Sequence, residues 1–100
     1  MDQNNEEVNE LMTIFINMVP VMLDDMLSFA DSENWKAAGN VAHKLKSSMR
    51  LWDISSLDED VVFIETYGLQ ETQTDKVKER IVHLREHLFN VIEEMKLELN

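Results

Sequence analysis

Apolar positions recur every three or four residues along most of this chain, the repeat of helices that each bury one face. Val8, Leu11, Met12, Phe15 and Met18 make the first such row. Asn4 or Asn5 ahead of it can serve as N-cap, with Glu6 and Glu7 favourable in the first turn. Pro20 lacks an N–H and clashes with the preceding turn, so the row should break or kink there, leaving a short N-terminal helix. Leu23, Met26, Leu27 and Ala30 predict a second helix ending near Ala30. Asp31 to Asn34 is a turn with several candidate N-caps.

The third helix should run from about Trp35 to Trp52, with Trp35, Ala38, Ala42, Leu45, Met49 and Trp52 inward. Ser56 and Glu59 are spaced as a capping box, predicting a fourth helix that starts there. It should end near Tyr67, with Gly68 in the left-handed conformation just beyond. After a polar loop at Thr72 to Asp75, a fifth helix is predicted from about Lys76 almost to the end. Its inward row is Val77, Ile81, Leu84, Leu88, Val91, Met95 and Leu99. Short connections favour antiparallel neighbours. The expected fold is therefore all-α: an antiparallel up-down four-helix bundle with a short extra N-terminal helix.

Composition supports that class. One hundred residues make a single domain, 1–100, large enough for one core. Only two glycines and one proline leave too few turn residues for a β-domain and no glycine cluster for a nucleotide loop. No ATP site is expected. The chain has no cysteine, which excludes disulfides and thiolate metal sites. The longest unbroken apolar run, Met18 to Leu23, is too short to span a bilayer, and no basic stretch precedes an N-terminal apolar segment. A cytoplasmic location is the resulting expectation. The seven methionines read as plastic core filler rather than as a partner groove.

The formal net charge is −11, which disfavours nucleic acid and anionic membranes as partners. Residues 36–50 depart from this balance: they hold Lys36, Lys44, Lys46 and Arg50 and no acid. His43 lies at their centre. Residues three, four and seven away share its helix face, namely Lys36, Gly39, Asn40, Lys46, Ser47 and Arg50. An imidazole on a cationic stripe between small neighbours suits a phosphoryl group. Lys44 points about 100° away and contributes general electrostatics. Arg50, two turns along, is a rim contact for a partner.

With these residues the chain resembles the histidine phosphotransfer (HPt) domains of multistep phosphorelays, over its whole length and helix order. The match rests on His43 with Leu45 at +2, Lys46 at +3, and Ser47 and Ser48 at +4 and +5. Leu57 at +14, Glu65 at +22 and Trp35 eight residues before the histidine also fit. The resemblance implies a phosphoprotein in which His43 is phosphorylated, Lys46 holds phosphoryl oxygens, and Glu65 accepts a hydrogen bond from the other ring nitrogen. Small Gly39 and Ser47 would leave room for the partner, with Lys36, Asn40, Lys44 and Arg50 around it. Two positions depart from the family, Ser47 and Asp53, where glycine is usual.

The resemblance further implies a monomeric signalling intermediate without autokinase activity. Its partners would be response-regulator receiver domains and a hybrid histidine kinase. No cofactor or metal is expected on this chain; the divalent metal would sit on the receiver. Ile14, Met18 and Met22 are candidates for an apolar docking floor.

Other readings are a non-catalytic helical protein-interaction module and the dimerisation domain of a histidine kinase. The latter's histidine is typically followed by an acid and soon by a proline, whereas Lys44 follows here. His83 to His87 has the H-x-x-E-H pattern of inverted zinc peptidases, but a third ligand and a catalytic cleft have no counterpart in a chain this short.

Overall fold

The computed structural model describes the backbone of residues 3–99 and the side chains of 6–54 and 56–99. It is all-helical: α1 (Gln3–Asp31), α2 (Trp35–Leu51), a 3₁₀ turn (Ser55–Leu57), α3 (Asp58–Gln70) and α4 (Thr74–Glu98). α2 packs most extensively on α3, α1 packs on α2 and α4, and α3 packs on α4. The core between them includes Phe15, Leu23 and Met26 of α1 with Leu45 and Met49 of α2. Val61 and Ile64 of α3 meet them, as do Ile81, Leu84 and Leu88 of α4.

The expected break at Pro20 does not occur, so there is no separate short N-terminal helix. Proline in a helix interior costs about 3 kcal/mol or more. Here Met12, Phe15 and Val19 before it and Leu23, Met26 and Ala30 after it form one continuous buried row. Burial on both sides holds the helix in phase across the lost hydrogen bond. Helicity also begins by Gln3, ahead of the expected caps Asn4 and Asn5, whose side chains lie outside the described ones. Of the expected first row, Met12 and Phe15 are buried, whereas Val8, Leu11 and Met18 are exposed, because α1 carries apolar residues on two faces. By length and composition Glu6–Asp31 is apolar enough to cross a membrane, which the short run Met18 to Leu23 did not convey.

α2 matches its prediction closely. Asn34 caps it, its side chain accepting a hydrogen bond from Ala37 N, and Trp52 follows the last turn. Phe15 meets Trp52 edge-on, with ring centroids 6.3 Å apart. The capping box fails: Ser56 lies in the 3₁₀ turn, and α3 starts at Asp58 without a side-chain cap. α3 also runs past Gly68 to Gln70, and α4 starts earlier than expected, at Thr74. In α4, Ile92 is buried where Val91 was expected, and Leu99 lies past the helix end.

Three helices end the same way. Asn34 N bonds Phe29 O and Glu33 N bonds Ala30 O; Ile54 N bonds Met49 O and Asp53 N bonds Arg50 O. Thr72 N bonds Tyr67 O and Glu71 N bonds Gly68 O. Each is a Schellman closure, which needs a left-handed residue just past the helix. Those residues are Glu33, Asp53 and Glu71, with φ of 60°, 55° and 56°. Gly68 is not one of them. Its lack of a side chain serves packing: a Cβ there would lie 3.0 Å from Trp35 O and 3.1 Å from Gly39 Cα.

Candidate functional site

The close approach of α2 and α3 builds the site. A Cβ on Gly39 would lie 2.9 Å from Leu69 N and 3.2 Å from Glu65 O, so the two backbones meet only because both crossing residues are glycines. Gly39 is buried there and does not line an outer face for a partner, contrary to expectation. One turn along α2 from this crossing, His43 reaches Glu65.

His43 Nδ1 donates to Glu65 Oε2 at 2.5 Å, and Lys46 Nζ donates to Glu65 Oε1 at 2.5 Å. One carboxylate therefore joins both α2 side chains. The Glu65 and Lys46 side chains are only 15% and 20% exposed, whereas His43 is 65% exposed. The base of the site is sheltered and its imidazole stands in solvent. The Lys46 ammonium, and then the His43 N–H, hold the Glu65 carboxyl below its ordinary range against the opposing effect of burial.

This fixes the chemistry of the ring. An ionised carboxylate only accepts, so His43 Nδ1 must carry the proton it shares. In the neutral imidazole the lone pair then sits on Nε2. Nε2 makes no hydrogen bond among the described residues. The arrangement presents an exposed nucleophilic nitrogen whose partner nitrogen is anchored to an anion. When Nε2 takes a new bond, the resulting cation lies beside Glu65.

The Lys46 ammonium rests on Glu65, which leaves two further N–H groups for an incoming anion. Arg50 is also engaged, with Nε 3.1 Å and a terminal nitrogen 3.3 Å from the Asp58 carboxylate at the start of α3. Lys36, Asn40, Lys44 and Ser47 are exposed, and neither Lys36 nor Lys44 is ion-paired among the described residues. Asp53 does not disturb the helix end; it completes the Schellman closure in the left-handed conformation.

α1 carries an exposed apolar stripe. Leu11, Ile14, Met18 and Val21, at helical spacing, are 44–58% exposed. At about 100° per residue they lie roughly 120° to one side of the buried row. Asp24 and Asp31, which pair with Arg85 and Lys78 of α4, lie on the opposite side. Ile14 and Met18 of the expected floor are exposed; Met22 is half-buried and packs on the core.

Sequence reasoning missed one cluster. Asp60 of α3 is the one charged residue buried among those described, and it accepts from Arg80 (3.0 Å) and from His83 Nδ1. An acid between Leu57 and Ile64, in the middle of α3's buried row, was the available signal. His87 Nδ1 donates to His83 O at 2.8 Å. Among the described residues no group of three or more acid or histidine side chains is arranged to hold a metal.

No protein-family model, no curated protein and no solved structure matches this chain.

Proposed function

We propose that this chain is a phosphorelay intermediate. His43 Nε2 takes a phosphoryl group from an aspartyl phosphate on one receiver domain and passes it to an aspartate on another. In the forward step the Nε2–P bond forms and the acyl O–P bond breaks, and the carboxylate leaves with the electron pair. The Nδ1 proton stays between His43 and Glu65, which offsets the charge of the phosphorylated ring. The observation that carries this reading is the single carboxylate of Glu65 shared by His43 and Lys46.

The exposed position of His43 on a helix face, rather than in a cleft, suits a protein partner that brings the rest of the chemistry. The divalent metal belongs to that partner's acidic pocket, and this chain has no autokinase role. Lys36 and Lys44 steer the acidic partner, and the α1 stripe from Leu11 to Val21 gives it an apolar floor. The four helices are arranged as an antiparallel up-down bundle, and the protein acts as a cytoplasmic monomer. The Phe15–Trp52 contact and the packing of each helix chiefly on two others support that arrangement.

The test uses receiver domains carrying labelled aspartyl phosphate, with phosphoramidate as a small-molecule donor. Acid-labile label passing from a receiver to the wild type, and absent from His43→Gln, is the expected result. Receiver-derived label retained by the variant, or no label on the wild type from any donor, would contradict the assignment and leave an interaction module.

A further inference from the structure

A second histidine in the fold has the same three-part environment. His83 Nδ1 donates to one oxygen of Asp60, and Arg80 Nη1 donates to the other at 3.0 Å. The cation is three residues from the histidine, as Lys46 is from His43. The carboxylate is again sheltered, with the Asp60 side chain 8% exposed, while the His83 side chain is 53% exposed. Arg80 is braced over the Phe63 ring, 4.6 Å from its centroid. His83 Nε2 has no hydrogen-bond partner among the described residues.

We propose that His83 is a second phosphoryl-accepting imidazole, open to small donors of the phosphoramidate or acyl phosphate class. This rests on the chemistry read at His43, applied to a site on α3 and α4. The neutral ring's Nε2 attacks phosphorus as the donor's P–N or P–O bond breaks. The leaving ammonia or carboxylate takes the electron pair. The Nδ1 proton remains on the ring, hydrogen-bonded to the Asp60 carboxylate, whose charge offsets that of the ring. The surroundings differ in one respect. Glu59 and Glu79 line the shallow hollow beside His83, where His43 has Lys36 and Lys44. Two acids at the rim repel the anionic pocket of a receiver, so His83 is reserved for small donors.

His87 is the internal control. It lies one turn along the same helix, is exposed, and its Nδ1 also donates, but to the neutral His83 carbonyl. At metal-bound histidines, loss of the carboxylate behind the ring costs about 10–100-fold in affinity or activity, which sets the order of the effect expected here. His43→Gln is treated with phosphoramidate, digested at neutral pH and mapped by mass spectrometry. Acid-labile phosphate is expected at His83 with at least about tenfold preference over His87, and its loss in His43→Gln/His83→Gln. The same variant should take no label from a phosphorylated receiver. Equal occupancy of His83 and His87 would overturn the inference. So would label on the wild type with none on His43→Gln, a result that leaves the His43 assignment intact. Absence of label from both proteins would remove the two readings together, and label on His83 from a receiver would overturn the restriction to small donors.

Discussion

Gly39 and Gly68 meet at the crossing of α2 and α3 so closely that a Cβ on Gly68 would lie 3.1 Å from Gly39 Cα. That contact sets the distance over which Glu65 must reach to His43 and Lys46. Gly39→Ala puts a methyl group 2.9 Å from a backbone nitrogen, which cannot swing aside as a side-chain tip can. Overpacking of this kind costs about 1–3 kcal/mol. Urea unfolding should show that loss, with slower phosphoryl transfer in the folded fraction. An Ala variant at either position with unchanged midpoint and rate would mean the crossing does not position the site.

Asp53, Glu33 and Glu71 hold left-handed conformations that favour glycine. Replacing each by glycine exchanges a left-handed penalty of roughly 1–2 kcal/mol for the smaller entropy cost of glycine. Each variant should gain about 0.5–1 kcal/mol, raising the midpoint of thermal unfolding by about 2–8 °C. The three sites close different helices, so their gains should add. A melting temperature that falls for Asp53→Gly would indicate that its side chain contributes more than the backbone strain costs.

Glu65 gives the fold an acid-dependent contribution. Its carboxyl is depressed, chiefly by Lys46, so the native state binds this proton less readily than the unfolded chain. The stabilisation is fully present above the ordinary glutamate value of about 4.3. It is lost as pH falls through the lower folded value. Unfolding free energy measured against pH should show this loss in the wild type, and Glu65→Gln should lack that component. Parallel curves for the two proteins through the acid range would refute the coupling.

Lys36 and Lys44 are exposed and unpaired among the described residues, so their effect should be long-range. Lys36→Gln/Lys44→Gln should slow association with an acidic receiver by up to about tenfold at low salt, with little change in stability. The difference from wild type should shrink as ionic strength rises. Stopped-flow association rates that differ equally at low and high salt would point to direct contacts instead.

Local signals made α2 legible in the sequence. Asn34 stands directly ahead of a clean apolar row, and Ala38, Ala42, Leu45 and Met49 all prove buried. Glu65 stands out in the sequence only through the family resemblance, at +22 from His43, and the structure places the two in contact. What stayed hidden depends on residues far apart in the chain. Gly68 reads as a helix stop until Gly39 is found against it. Pro20 reads as a break until the buried rows on either side are seen to be in phase. The Lys46–Glu65 bond and the Arg80–Asp60–His83 cluster each join helices that no short-range pattern connects. The left-handed acids at three helix ends go against residue preference, so propensity pointed elsewhere.

The central claim is that Glu65 directs reaction to one nitrogen of His43. The most direct measurement is nitrogen-15 and phosphorus-31 NMR of the chain after transfer from a phosphorylated receiver. The account predicts phosphorus on Nε2 of His43, with Nδ1 still protonated and hydrogen-bonded to Glu65. Phosphorus on Nδ1, or on any residue other than His43, would contradict it.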